Sequence, residues 1–259
     1  MSPAKIVKSD AVNPQPELIK EAAAILRAGG LVIIPTDTVY GVAADASDQK
    51  AIDKLYQIKN RPKDKPFALL IAEKDKIEEL GTDIPISAYK LIDKFWPGPL
   101  TIIVQSKKGG KIGLRMPDNQ VALKIIAEAG VPLACPSANL SGKAAPANFT
   151  EAVRDLKDVV ELAIDSGPVK MGLESSVVDL TLTPPEVLRE KALKKEEIEN
   201  TIKNASILFI CTGNSCRSVI AMALLEKLLR EKNRSAVEVL SAGIMMLGGF
   251  VASERAKVV

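Results

Sequence analysis

Short apolar runs of strand length alternate along this chain with segments of helical period, and that alternation restricts it to a sheet flanked by helices. From Pro16 to Gly29 the spacing of Leu18, Ala22, Ile25 and Leu26 is helical; Gly29-Gly30 stops it, and Leu31-Val32-Ile33-Ile34 reads as a buried strand. Pro35-Thr36-Asp37-Thr38 marks the strand end and a loop. The spacing predicts further helices over 51–59, 86–95, 121–129 and 151–156, and strands over 68–72, 100–105, 133–135, 162–165, 176–180 and 186–188. The expected fold class is α/β (α+β) around one mixed sheet.

The pattern changes over 190–203, where Lys191, Lys194, Lys195, Glu196, Glu197 and Glu199 make a charged, helix-prone linker. A fresh unit follows: a strand over 207–210, a glycine-containing loop from Cys211 to Arg217, an amphipathic helix over 218–232 and a strand over 237–240. The expected domains are 1–189 and 205–259, joined by 190–204. With about 55 residues, the second lies near the lower limit of a self-sufficient core.

Composition removes several function classes. The apolar runs over 31–35 and 100–104 fall far below the roughly 20 residues that span a bilayer. Met1 to Lys5 leads into no apolar targeting segment, so no membrane association is expected and a cytoplasmic location is. The chain holds three cysteines and no histidine. A disulfide framework and Cys/His zinc sites are not expected, and Ser-His-Asp and Cys-His catalysis are impossible. Any enzyme here works by positioning, by Lys/Arg electrostatics, by carboxylates, by an oxygen-held metal, or by a cysteine activated without imidazole. Net charge is +3, with 24 basic and 24 acidic residues before Glu190 and 11 and 8 after Arg189. The run Lys50, Lys54, Lys59, Arg61, Lys63 and Lys65, with only Asp53 and Asp64 among it, is either a solvated helix face or a local site for polyanions.

Four islands carry chemistry. Pro35 to Gly41 presents hydroxyls at the end of a buried strand. In Lys59-Asn60-Arg61 the two cations are two apart, so in an extended segment they project to one side and close on one phosphate. Arg115, before Met116-Pro117 at a strand end, suits a carboxylate or phosphate, or a surface ion pair. Cys135-Pro136-Ser137-Ala138-Asn139 offers a hydroxyl and an amide, which turn chemistry also explains.

Together with Trp96-Pro97-Gly98-Pro99-Leu100-Thr101 and Leu173-Glu174-Ser175-Ser176, these islands occur in the order and wording of the YrdC-like threonylcarbamoyl-adenylate synthases, which the chain resembles over roughly residues 10–189. The resemblance implies a twisted mixed sheet with flanking helices and a concave basic cavity. It implies an enzyme, a nucleotidyltransferase that joins L-threonine, bicarbonate and ATP into threonylcarbamoyl-adenylate and releases pyrophosphate. The product would serve t6A modification of tRNA, met directly or through downstream transferase proteins.

Position by position, the resemblance makes Lys59 and Arg61 the catalytic holders of the ATP phosphates, with Lys63 nearby. Ser137 and Asn139 contact nucleotide and substrate; Thr36, Arg115 and Ser175 form the threonine pocket; Arg189 closes over the nucleotide. Mg2+ is expected on the phosphates, held by substrate and water rather than by protein ligands. Relatives commonly follow the last arginine with Pro-Gly, whereas Arg189 is followed by Glu190 and Lys191.

The second unit carries Cys211-x5-Arg217 between a strand and a helix. Such a loop cradles an oxyanion on backbone N–H groups and lowers the cysteine's pKa. With Ser241-Ala242-Gly243, the segment resembles the start of a low-molecular-weight protein tyrosine phosphatase, a partial β-α-β unit whose relatives include arsenate reductases. That family's general acid is an aspartate late in the domain, and none follows Asp179; Val219 also stands where proline is usual. A truncated or degenerate domain is expected, with oxyanion binding or a Cys211–Cys216 redox pair as its remaining chemistry. Two other readings stay open for the whole chain: a non-catalytic RNA-binding regulatory module, and a phosphatase or arsenate reductase through Cys211.

Overall fold

The computed structural model describes residues 3–203, 205–232 and 237–244, with Ala205, Ser206 and Glu238 as backbone. They group into two compact units, Met1–Ile198 and Glu199–Val259.

In the first unit the chain runs β1 (Lys5–Lys8), α1 (Pro16–Arg27), β2 (Val32–Ile34), β3 (Gly41–Asp45), α2 (Gln49–Lys59), β4 (Leu69–Leu70), α3 (Lys76–Leu80), β5 (Gly81–Thr82), α4 (Ile86–Phe95) and β6 (Leu100–Ser106). It continues through β7 (Lys111–Arg115), α5 (Gln120–Ala129), β8 (Leu133–Ala134), α6 (Phe149–Arg154), β9 (Leu162–Asp165), β10 (Ser176–Asp179) and β11 (Glu186–Arg189) to α7 (Lys195–Lys203). One mixed sheet orders the strands β1-β9-β2-β3-β8-β4-β7-β6-β10-β11, with β5 on β6. β9 pairs parallel with β1 and β2, β4 with β7, and β6 with β10; the other neighbours are antiparallel.

Both faces of the sheet are covered, which is why β2 is apolar at every position. Val32 and Ile34 face α1 and α5, packing with Leu18, Leu26, Val121 and Ile125. Leu31 and Ile33 face the other way, toward Ala51 and Leu55 of α2 and Ala152 of α6. α1 starts with Pro16 at its first turn and is followed by Gly29 at φ 77°, where a Cβ would also meet Asp48 Oδ2. α5 is capped by Asn119, whose side chain accepts from Ala122 N–H, and ends on left-handed Gly130.

The helices and strands read from the sequence are present, with shifted ends. α6 begins at Phe149 rather than 151 because the Asn148 side chain caps it. The charged segment over 190–203 is helical only from Lys195. Three strands (β1, β3, β5) and the short α3 were not expected, and of β7 only the end at Arg115 was.

In the second unit β12 (Ala205–Cys211) and β13 (Val237–Gly243) pair in parallel, Leu208 opposite Leu240, and α8 (Arg217–Glu231) connects them. This is the expected β-α-β unit. Among the described residues, no helix is long and apolar enough to cross a membrane.

Candidate active site

Register assembles the site floor. β6 sets Ile103 opposite Gly113 of β7 and opposite Asp179 of β10, and Thr101 opposite Val177. Side chains alternate on a strand, so Lys111, Gly113 and Arg115 share one face with Thr101, Ile103, Val177 and Asp179. That face lines a cavity of about 410 Å³, walled by Thr38, Arg61, Phe67, Cys135, Ser137, Glu174, Ser175 and Arg189.

Arg115 is held on three sides. Its Nε donates to the Gly98 carbonyl at 2.9 Å, Nη1 to Thr38 Oγ1 at 2.8 Å, and Nη2 to Asp37 Oδ1. Gly98 lies in the turn after the cis Trp96–Pro97 bond and its N–H bonds Met116 O, so the turn and the strand end fix each other. Arg115 is 6% exposed and Asp37 2%. Burial pulls the Arg115 pKa down, with the Asp37 charge opposing it. The second carboxylate oxygen of Asp37 has no hydrogen-bond partner among the described residues. Two of the five guanidinium N–H groups remain for a ligand.

Thr36 stands behind this wall. Its hydroxyl donates to Val39 O at 2.6 Å and accepts from the N–H groups of Thr38 and Val39, so it builds the turn. Within this turn the threonine that lines the cavity is Thr38, two positions further on.

Lys59 and Arg61 do not lie on an extended segment. Lys59 is the last residue of α2 and Asn60 is left-handed at φ 47°, so the two side chains diverge. The buried Lys59 ammonium donates to Ser137 O at 2.6 Å, to Asn139 O, and to Asn139 Oδ1 at 3.1 Å. Asn139 in turn donates to Lys143 O at 2.6 Å. Desolvation, with Arg61 second, lowers the Lys59 pKa to about 8. Arg61 folds back on its own loop, donating to Lys65 O and Pro66 O, with its guanidinium 5.1 Å from the Phe67 ring centroid. The Tyr56 ring backs Phe67 at 4.4 Å. Arg61 and Ser137 line the cavity; Lys59 and Asn139 hold the Ser137 segment from behind.

The basic run is therefore divided rather than gathered into one polyanion face. Lys63 pairs with Asp53 at 2.7 Å on the exposed side of α2, and Lys54 donates to Gly29 O.

On the opposite wall Arg189 donates to Ser175 O at 2.8 Å, Ser175 Oγ at 3.0 Å and Glu174 Oε1 at 3.2 Å. Ser175 Oγ also meets Thr101 Oγ1 at 3.0 Å. Arg189 thus stands beside Ser175 although Glu190-Lys191 follows it. Lys111 and Asp179 pair at 2.7 Å at the far end of β7 and β10. Burial pushes the Cys135 thiol up to about 12. Gly41 is required beneath it, because a Cβ there would run into Cys135 Sγ.

Of the expected residues, Arg61, Arg115, Ser137, Ser175 and Arg189 converge on the cavity; Lys59, Asn139 and Thr36 support its walls; Lys63 stands apart. Reading motifs alone passed over Thr38, Asp37, Phe67 and the Lys111–Asp179 pair. Thr38 and Asp37 sit inside an island already singled out, and Phe67 follows the basic loop directly. Lys111 and Asp179 are 68 positions apart and only register joins them.

In the second unit Cys211 Sγ lies 3.0 Å from Ser218 Oγ and accepts from Asn214 N–H at 3.2 Å. Ser218 Oγ is also 2.8 Å from Asn214 Oδ1, so its one proton serves either that oxygen or the Cys211 thiolate, and Asn214 is left-handed at φ 48°. The Ser218 hydrogen bond, with backbone N–H groups, lowers the Cys211 pKa to about 7. Arg217 opens α8 and is exposed.

The family described as "Telomere recombination" (Sua5_yciO_yrdC) matches residues 24–191, and "Low molecular weight phosphotyrosine protein phosphatase" matches residues 206–259. A threonylcarbamoyl-AMP synthase of Pyrococcus abyssi is 40% identical over 193 residues, covering 71% of this chain and 57% of that protein. One of Bacillus subtilis is 37% identical over 204 residues, covering 75% and 59%. The crystal structure of P. abyssi Sua5 complexed with L-threonine superposes with a TM-score of 0.74 at 29% identity, covering 94% of this chain and 85% of that one. The chain thus spans 57% and 59% of the two synthases' own lengths. With most of its mixed sheet inside the matched segment, the chain belongs to the Sua5/YciO/YrdC family.

Proposed function

We propose that the first domain, 1–189, joins L-threonine, bicarbonate and ATP into threonylcarbamoyl-adenylate with release of pyrophosphate, for t6A modification of tRNA. The observation that carries this reading is one cavity walled by three arginines, Arg61, Arg115 and Arg189, with the hydroxyls of Thr38, Ser137 and Ser175 between them. Such a wall suits a polyanion and an amino-acid carboxylate together. The relatives named threonylcarbamoyl-AMP synthase and the threonine-bound Sua5 support it.

In this reading the two spare N–H groups of Arg115 take the threonine carboxylate, with Thr38 and Ser175 beside it. Arg61, Ser137 and Arg189 hold the triphosphate, and their charge stabilises the pyrophosphate as it leaves. Lys59 acts with them by fixing the Ser137–Asn139 segment; Lys63 would join only by leaving Asp53. The cavity's carboxylates are committed, Glu174 to Arg189 and Asp179 to Lys111. No cluster suited to a protein-held metal is found among the described residues. Mg2+ enters this reading only with the triphosphate, and no step depends on a protein ligand to it. tRNA, met directly or through transferase proteins, and a cytoplasmic setting complete the proposal.

The test is mass spectrometry of products after incubation with ATP, magnesium, L-threonine and labelled bicarbonate. Label in the adenylate, only when threonine is present, is expected; its absence from folded protein would overturn the reading in favour of an RNA-binding module. A second reading concerns the domain over 205–259, joined through 190–204. The lowered Cys211 pKa and the N–H groups around its sulfur favour oxyanion binding by this loop. Protection of Cys211 from alkylation by inorganic phosphate or arsenate is expected, and its absence would remove that reading.

A further inference from the structure

β11 ends the sheet, and its pairing with β10 slips: Val178 stands opposite Val187 and Val177 opposite Arg189, with Leu188 unpaired between them. Arg189 is therefore the last residue of an edge strand, just past a bulge, and neither Glu190 nor Lys191 after it restricts its own φ as a proline would. Three hydrogen bonds tie its guanidinium to Glu174 and Ser175. They run from the side chain to the cavity wall, and an anionic ligand competes for the same N–H donors. The backbone at Arg189 needs an anchor of its own.

Ser176 supplies it. Side chains alternate here, so Ser175, Val177 and Asp179 line the cavity while Ser176 and Val178 face away from it, both fully buried. There the chain that leaves β11 comes back to β10. The N–H groups of Lys191 and Leu193 donate to Ser176 Oγ at 3.1 and 2.9 Å, and the hydroxyl donates to Leu193 O at 2.8 Å. One donor and two acceptor sites are the whole capacity of a hydroxyl, and this segment occupies all of them. Ala192 N–H adds a bond to Glu174 O at 3.2 Å. Ser176 is itself fixed, with its N–H on Pro99 O and its Cα opposite Leu100 of β6. Glu174-Ser175-Ser176 thus holds Arg189 by its side chain on the cavity face and by its following backbone on the other.

We propose that Ser176 is a positioning residue: it lies outside the cavity, and its hydroxyl keeps Arg189 aimed inward when the guanidinium exchanges Glu174 or Ser175 for a phosphate. The inference rests on the reading above in which Arg189 holds the triphosphate. It is tested by a double-mutant cycle in the full chain, with calorimetric titration of ATP and of L-threonine into the unaltered protein, Ser176→Ala, Arg189→Ala and the double variant.

Ser176→Ala is expected to weaken ATP binding about five- to tenfold, the worth of one or two hydrogen bonds. L-Threonine should bind within about twofold of the unaltered chain, which also reports that the variant is folded. In the Arg189→Ala background, where Arg61 and Ser137 still hold the triphosphate, the same substitution should change ATP binding by less than about twofold, because the residue it acts through is gone. A merely structural loss would persist in that background or fall on both ligands alike. Either of those results would overturn the proposal, as would ATP affinity of Ser176→Ala within about twofold of the unaltered chain. If Ser176→Ala does not fold, Leu193→Pro decides by the same cycle, because it removes one N–H donor from the other side of the anchor. Failure of the unaltered chain to bind ATP would remove the nucleotide reading itself, and this role with it.

Discussion

Asp37 and Arg115 face each other in a dry wall, and removing the carboxylate leaves a buried guanidinium among neutral partners. Asp37→Ala is expected to cost about 3–5 kcal/mol of unfolding free energy in a urea titration. Asp37→Asn, which keeps an acceptor for Nη2, should cost less; equal costs would show that hydrogen bonding rather than charge matters here. Lys59 gives a pH signature. Its folded pKa of about 8 lies below the ordinary 10.5, so between these values the unfolded chain holds the proton that the folded one has released. Stability therefore rises with pH across that window, and the burial cost is complete below it. Relative to Lys59→Met, the unaltered chain should gain stability from about pH 8 upward; a flat difference would mean the three acceptors hold the ammonium charged. At this scale the sequence shows which islands matter but not which atoms face the ligand. Arg115 precedes proline at a strand end and was legible. That Thr38 lines the cavity while Thr36 ties the turn was not, because only the turn's own hydrogen bonds decide which hydroxyl it consumes.

α5 shows what an element needs in order to be read in advance: an Asn cap, buried residues at helical spacing and a left-handed glycine after the last turn. Asn119→Ala should lower stability by about 1 kcal/mol, measured by thermal or urea unfolding. β1 lacks all such local signals, since its partner β9 begins at Leu162 and three of its four residues are exposed. β3 went unread because it is buried at all five positions and shows no alternation to mark it. The loop between β12 and α8 was legible from its spacing alone, and it makes a chemical prediction. With Cys211 near 7 and Cys135 near 12, iodoacetamide at neutral pH should label Cys211 well before Cys135, read by peptide mass spectrometry. Ser218→Ala removes the hydroxyl that stabilises the thiolate, so the midpoint of the alkylation pH profile should move up; an unmoved midpoint would assign the lowering to the backbone N–H groups alone.

For the whole molecule, alternation of apolar runs and helical segments was enough to name a mixed α/β sheet, because each buried strand needs cover on both faces. Strand order was not legible: β9 inserts between β1 and β2 from more than a hundred residues away. The floor of the cavity exists only through that kind of long-range register. The two units also differ in how much apolar surface they bury. β2 and β9 are sealed between helices, with Val32, Ile33, Leu162 and Ala163 fully buried. In the second unit Leu208, Ile210 and Leu240 share one sheet face and are 51%, 60% and 44% exposed, while Val239 on the other face is 8% exposed. A two-stranded sheet covered on one face has little burial to oppose its chain entropy. Amide hydrogen exchange under native conditions should therefore separate the units. The β12 and β13 amides are expected to exchange on the order of a hundredfold or more faster than those of β2 and β9, which open only with the global unfolding of their sheet. Equal protection in both sets would mean that the Leu208–Leu240 face is covered in solution, and would send the search to what covers it.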